Sequence, residues 1–184
     1  VLDERRTVKA SKFLSLVLRH QPERIGLVLD EGGWVEVDRL LDACAEHGRT
    51  LSRAELDHVV ATNNKRRFAY SDDGRRIRAS QGHTVQVDLG LAPAVPPDVL
   101  FHGTAAATVP LILRDGLLPM ARQDVHLSAD RETAVRVGSR HGRPLVLAVD
   151  AAGLAAAGQV FRVSANGVWL TGPVPPEWLR VQPG

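Results

Sequence analysis

The stretch "LGLAPAVPPDV" (residues 89–99) divides the chain. It holds three of the eleven prolines and has neither helical nor strand periodicity, so it reads as a linker over residues 89–98. The segments on its two sides are patterned differently. The expectation is two lobes, at 1–88 and 99–184, within a length of 184 residues that suits one large domain or two small ones.

Before the linker the pattern is helical, then β-like. "SKFLSLVLRH" (11–20) puts Phe13, Leu14, Val17 and Leu18 on one helical face, and Pro22 disfavours continuation past Gln21. "DRLLDACAEHG" (38–48) predicts a helix capped by Asp38 and stopped by Gly48. "SRAE" (52–55) is a capping box that opens a helix to about Thr62. "RRFAYS" and "RRIRAS" then flank "DDG" (72–74), the signal of a β-hairpin. Helices followed by a two-stranded wing predict a small winged-helix unit.

After the linker, short strands and helices alternate. "VLFHGT" (99–104) reads as a strand ending in a glycine turn, and "TVPLILRDG" (108–116) as a helix with Pro110 in its first turn. "VHLS" (125–128) is a strand followed by a helix from Asp130, and "PLVLAVD" (144–150) a buried strand. "QVFRVS" and "VWLT" flank the turn signal "ANG" (165–167), and "WLRVQ" (178–182) closes the sheet. The fold class is α+β, with a mostly antiparallel sheet in the second lobe.

Composition narrows the function classes. Apolar residues make up 44% and charged residues 24%, ordinary for a globular chain, and no apolar run approaches the ~20 residues of a membrane span. No signal-peptide pattern argues for export. The single Cys44 leaves no partner for a disulfide, fits a reducing cytoplasm and reads as small core filler. Net charge is +2, and it divides evenly: 15 basic against 14 acidic residues in 1–90, and 8 against 7 in 91–184. Any basic patch is therefore local, at "NNKRRF" (63–68) or "GRRIR" (74–78).

Several short stretches combine residues suited to anion chemistry. Arg19 and His20 stand together where a helix ends. Compensation of the helix dipole explains either residue, while the pair also suits an anion site with a proton donor beside it. In "KRRF", strand alternation sends Arg66 and Arg67 to opposite faces, so at most one of them faces a given site; the pair is either solvated or offers that one to a phosphate. "HGT" (102–104) joins imidazole, a residue without a side chain and a hydroxyl, and Gly103 would admit a ligand close to the backbone. His126 and Ser128 share a strand face. Arg140, His141 and Arg143 occupy a glycine-flanked loop that suits a pyrophosphate or is merely exposed. Seven scattered histidines with no HxxxH or CxxC give no zinc site, and GxGxxG, GxxxxGK[ST] and GxSxG are absent.

Taken in order, "SKFLSLVLRHQPE", "GWVEVDRLL", "NNKRRF", "FHGT", "RQDVHLS", "GSRHGRPLVLAVD" and "SANGVWLTGPVPPEWL" resemble the RNA 2′-phosphotransferase family over roughly residues 9–180. Each motif is weak alone; seven in one order are specific. The resemblance implies an N-terminal winged-helix lobe and a C-terminal lobe of the ADP-ribosyltransferase fold. It implies removal of an internal 2′-phosphate from RNA with NAD⁺ consumed as co-substrate and no metal. It places a catalytic group on Arg19, His20, Arg67 and Arg122, with Phe68 as the landmark that favours Arg67 over Arg66. These four are expected to converge on one cleft.

The resemblance places NAD⁺ contacts on His102, Gly103, Thr104, His126, Ser128 and Arg140. Val168 stands where protein-modifying relatives carry a catalytic Glu, and Phe101 where Tyr is common. The expected state is a cytoplasmic monomer acting on RNA that carries an internal 2′-phosphate. A DNA-binding regulator with a ligand-sensing lobe is the contrasting class; the even charge split and the lack of a strongly basic helix count against it. A transferase that stops after ADP-ribosylating a nucleic-acid phosphate is the third reading. The presence of all four catalytic residues counts against that one.

Overall fold

A computed structural model describes residues 2–63 and 65–183, and the chain forms two compact units, Val1–Gly90 and Leu91–Gly184. The pairs between named strands are antiparallel among the described residues, so the arrangement is α+β. No helix among those residues is long and apolar enough to cross a membrane.

In the first unit, helix α1 runs Glu4–Arg19, beginning well before the apolar run that announces it. Asp3 explains the early start: its carboxylate accepts from Arg6 N at 2.8 Å, and Glu4 complements the dipole in the first turn. Leu14, Val17 and Leu18 are fully buried, each contributing about 1.5–3 kcal/mol of burial, while Phe13 packs at the margin of the same core. The chain then turns through a short 3-10 helix, Pro22–Ile25.

Helix α2 spans Val37–Glu46 directly after the two-residue strand β1, Val35–Glu36, and Asp38 is not its N-cap. Val37 is buried, and its N–H donates to Arg75 O at 2.8 Å, so a carbonyl far along the chain satisfies the first helical donor one residue earlier. Helix α3, Arg53–Thr62, carries the expected capping box of Ser52 and Glu55 in full.

The hairpin also forms, as β2, Phe68–Tyr70, and β3, Arg76–Ala79, with β1 completing a sheet of order β1-β3-β2. Its strand starts at Phe68. Arg66 and Arg67 precede it, and Arg66 has a left-handed φ of 45°, so strand alternation does not set their directions. Asn64 of that motif lies outside the described residues. Cys44 is core filler, and burial pushes its thiol pKa up.

In the second unit, β4, Val99–Ala105, pairs along its whole length with β6, Pro144–Asp150, and β9, Leu179–Val181, lies on the far side of β6. A second sheet has the order β5-β8-β7, made by Val125–Leu127, Trp169–Thr171 and Phe161–Val163. Reciprocal backbone bonds of 2.8 Å between Phe101 and Ser128 bring β4 and the end of β5 together. Helix α4, Val109–Asp115, has Pro110 in its first turn, and α5, Arg131–Gly138, is capped by Asp130. Helix α6, Ala151–Ala156, has no counterpart in the sequence reading; Asp150 caps it.

Gly103 corrects the expectation of a strand that ends in a turn. It sits inside β4, paired with Val146. A Cβ there would overlap the carbonyl oxygen of Ala134, and a Cβ on Gly138 would lie 2.8 Å from Thr104 O. The missing side chains let the backbone of α5 lie against the backbone of β4. What approaches Gly103 closely is therefore a helix of the same unit. The proline-rich segment is also tied down beyond Gly90: Ala94 N donates to Phe161 O at 2.8 Å, and Arg162 Nε to Leu91 O at 3.0 Å.

Candidate functional site

Within the first unit, Ser11, Lys12, Ser15, Arg19 and Arg67 line a cavity of about 240 Å³. Four of the five come from α1. Positions 11, 15 and 19 are successive i, i+4 neighbours, so their side chains stack along one face. The fifth, Arg67, is positioned by its backbone. Its N–H donates to Asn63 Oδ1 at 3.2 Å, and its carbonyl accepts from Ser80 N at 2.8 Å. Asn63 Nδ2 in turn donates to Ser11 Oγ at 2.9 Å, which fastens the "KRRF" segment to α1. Two guanidiniums, an ammonium and two hydroxyls, with no carboxylate among the lining residues, give the cavity the charge and the bidentate donors that an anion requires.

His20 follows Arg19 at the end of α1, and a strap of residues 80–85 crosses this helix end. Thr84 N and Val85 N both approach Arg19 O, at 3.0 and 3.4 Å, and supply donors that the last carbonyls of a helix lack. His20 Nδ1 lies 3.0 Å from Thr84 Oγ1. Gly82, at φ 88°, passes the Arg19 guanidinium so closely that a Cβ would lie 3.4 Å from its central carbon.

Between these points His83 is 2% exposed, and neither ring nitrogen has a hydrogen-bond partner among the described residues. Burial, reinforced by Arg19, Arg78 and His20, pushes its pKa down to about 4. The unfolded chain takes up this proton near pH 6.5 and the folded chain only near pH 4, so the unfolded state binds it first. Stability present above about pH 6.5 is lost progressively as the pH falls toward 4, by about 2 kcal/mol at pH 5. Urea midpoints at about pH 7.5 and pH 5 should therefore differ less in His83→Gln than in the unaltered chain. An equal acid loss in both would contradict the neutral, buried assignment.

The second basic stretch, "GRRIR", is committed elsewhere. Arg78 donates to Gly32 O and Leu89 O, both at 3.1 Å, and its guanidinium lies 4.3 Å from the Trp34 ring centre. Arg76 pairs with Asp30 at 3.4 Å on the surface. These two arginines brace the hairpin.

The second unit joins three of the residues singled out from sequence. Arg122 Nη1 lies 2.7 Å from His126 Nδ1, and because a guanidinium only donates, His126 Nδ1 accepts and its proton sits on Nε2. His102 Nδ1 lies 3.1 Å from the His126 carbonyl, which can only accept, so His102 carries its proton on Nδ1 and presents Nε2 as an acceptor. Burial lowers the pKa of His102 and favours this neutral form. Ser128 uses its backbone to bridge to Phe101. Thr104 is buried in β4, and Arg140 is exposed in the 3-10 turn Ser139–His141. Val168 is half-buried before β8, with its N–H donating to Ser164 Oγ at 3.1 Å. No group of three or more His, Cys, Asp or Glu among the described residues could hold a metal ion.

The sequence reading did not single out Ser11, Lys12, Ser15, Asn63 or the strap. The i, i+4 series of Ser11, Ser15 and Arg19 was the available signal for the cavity wall. Nothing local marks the reach of Asn63 to Ser11 or of Thr84 to His20, since those pairs are distant in sequence.

Comparison with known proteins gives a consistent result. The model of the family described as "RNA 2'-phosphotransferase, Tpt1 / KptA family" matches residues 5–172. A protein of Streptomyces griseus subsp. griseus is 64% identical over 188 residues, covering 98% of this chain and 100% of that protein. One of Streptomyces coelicolor is 63% identical, covering 97% of each chain, and one of Agrobacterium fabrum is 57% identical, covering 93% of this chain and 92% of its own. All three carry the name "Probable RNA 2'-phosphotransferase".

Proposed function

The chain belongs to the RNA 2′-phosphotransferase family, and on that premise we propose that it removes an internal 2′-phosphate from RNA with NAD⁺ as the phosphate acceptor. The observation that carries this reading is the cavity formed by Arg19, Arg67, Lys12, Ser11 and Ser15. A 2′-phosphate is close to a dianion at neutral pH, and paired guanidiniums hold two of its oxygens while a third stays exposed for attack. The first unit is then the RNA-phosphate lobe of winged-helix type, and the second the NAD⁺ lobe of ADP-ribosyltransferase type. We assign Arg122 a catalytic role in the transfer and His102, Gly103, Thr104, His126, Ser128, Arg140 and Val168 to the NAD⁺ side. Gly103 contributes there by seating α5. The neutral His102, with Nε2 as acceptor, suits a ribose hydroxyl.

In the proposed reaction a 2′-phosphate oxygen attacks C1″ of the nicotinamide ribose. The C–N bond breaks, and nicotinamide leaves with the electron pair. The ADP-ribose 2″-hydroxyl, losing its proton to solvent, then attacks phosphorus, and the bond to the RNA 2′-oxygen breaks. Arg19 and Arg67 balance the charge that gathers on the equatorial oxygens, and Arg122 is a further catalytic cation. His20 gives a proton to the departing RNA 2′-oxygen. The products are RNA with a free 2′-hydroxyl, nicotinamide and ADP-ribose 1″,2″-cyclic phosphate.

An oligonucleotide with one internal 2′-phosphate tests this directly. It should lose its phosphate only when NAD⁺ is supplied. Retention of the phosphate with NAD⁺ present, or equal loss without it, would contradict the reading.

A further inference from the structure

We propose that Thr84 is a positioning residue for His20, holding its ring through Nδ1 so that proton transfer to substrate runs through Nε2. The inference rests on the catalytic role proposed for His20. Its structural basis is independent of any sequence motif. Thr84 Oγ1 lies 3.0 Å from His20 Nδ1, and Thr84 N donates at 3.0 Å to the carbonyl of Arg19, the residue before His20. The backbone and the side chain of one residue thus grip the same helix end. A β-branched side chain has restricted χ1, which keeps the hydroxyl where the ring needs it.

The rest of the strap fixes this grip. Ser80 N donates to Arg67 O at 2.8 Å and Ser80 Oγ to Arg66 O at 3.0 Å. His83 fills the space behind, with Nε2 3.1 Å from where a Cβ of Gly33 would stand. The segment from Ser80 to Val85 therefore ties the two catalytic pieces of the first unit, Arg67 and Arg19–His20, to one backbone.

A hydroxyl suits this position because its oxygen accepts from Nδ1–H. When His20 is cationic, Nδ1–H donates to Thr84 Oγ1. When the ring has given up its Nε2 proton, the remaining proton stays on Nδ1 and makes the same hydrogen bond. The bond therefore holds in both states, and His20 can release and regain a proton at Nε2 without its ring turning.

Thr84→Val removes the hydroxyl at nearly constant shape, and Thr84→Ser keeps it. In the full chain, with NAD⁺ and the 2′-phosphorylated oligonucleotide, Thr84→Val should lower kcat about tenfold and leave KM for NAD⁺ essentially unchanged. The loss should fall on the second step, so RNA bearing ADP-ribose on its 2′-phosphate accumulates, and Thr84→Ser should restore most of the rate. The ring-nitrogen NMR signals of His20 should move in Thr84→Val and return in Thr84→Ser. An unchanged kcat in Thr84→Val, a Thr84→Ser enzyme as slow as Thr84→Val, or a change confined to KM would overturn the proposal while the unaltered enzyme remains active. Failure of the unaltered enzyme to remove phosphate would instead overturn the functional reading, and this role for Thr84 with it.

Discussion

Arg67→Ala is expected to stall the reaction between its two chemical steps. In the proposed reaction the first step joins phosphate to ADP-ribose and needs the phosphate held. The second passes through a phosphorus centre with extra charge on its equatorial oxygens, where a fixed cation matters more. Arg67 is well placed to be that cation. Its N–H and carbonyl are held by Asn63 and Ser80, and its side chain lines the cavity beside Arg19. Losing one preorganised charge donor costs about 10²–10³-fold in the step it serves. RNA carrying ADP-ribose on its 2′-phosphate should therefore accumulate in Arg67→Ala, seen as a slower band on a denaturing gel. Arg67→Lys should recover only part of the loss, because an ammonium does not offer the planar fork. If Arg67→Ala slows nicotinamide release and phosphate loss equally, with no accumulated intermediate, the role assigned to Arg67 is wrong.

Gly103→Ala should have the largest effect on stability. The added methyl would meet the Ala134 carbonyl and the Gly138 nitrogen, and both are backbone atoms of α5. No rotamer relieves that contact, so α5 must lift from β4. The expected cost is about 3 kcal/mol or more, and melting of the second unit should fall by about 10 °C or more. Gly172→Ala is the control, since nothing lies within 4 Å of a Cβ there, and its effect should stay within about 0.5 kcal/mol. A Gly103→Ala protein as stable as Gly172→Ala would show that backbone-on-backbone packing is not what the glycine supplies.

Much of this fold is legible in local pattern. The capping box at Ser52, the hairpins at "DDG" and "ANG", and the cap at Asp130 all form where turn and cap chemistry places them. The errors have a common cause. Asp38 looks like a cap, but Arg75 O, far along the chain, meets the donor of Val37 first. Gly103 looks like a turn, but its small size is used by a helix some thirty residues later. Local chemistry also understated α1, whose polar first turns are held by Asp3 rather than by an apolar face.

The site divides the same way. Arg19, His20, Arg67, His102, His126 and Arg122 are visible as unusual residues in ordered motifs. The hydrogen bonds that orient their rings join residues that no sequence spacing pairs, such as His20 with Thr84 and His102 with the His126 carbonyl. "SQGHTV" has no period, no charge and no motif, yet it forms the strap over the helix end. Arg76 and Arg78 err in the other direction: they resemble a nucleic-acid patch and instead serve Asp30, Gly32 and Trp34.

The central claim is that the phosphate is transferred to NAD⁺-derived ADP-ribose and not released by water. Tracing a labelled internal 2′-phosphate through the reaction tests it most directly. All of the label should appear in ADP-ribose 1″,2″-cyclic phosphate, with one nicotinamide formed for each RNA dephosphorylated. Label in inorganic phosphate, or dephosphorylation without nicotinamide, would contradict the account.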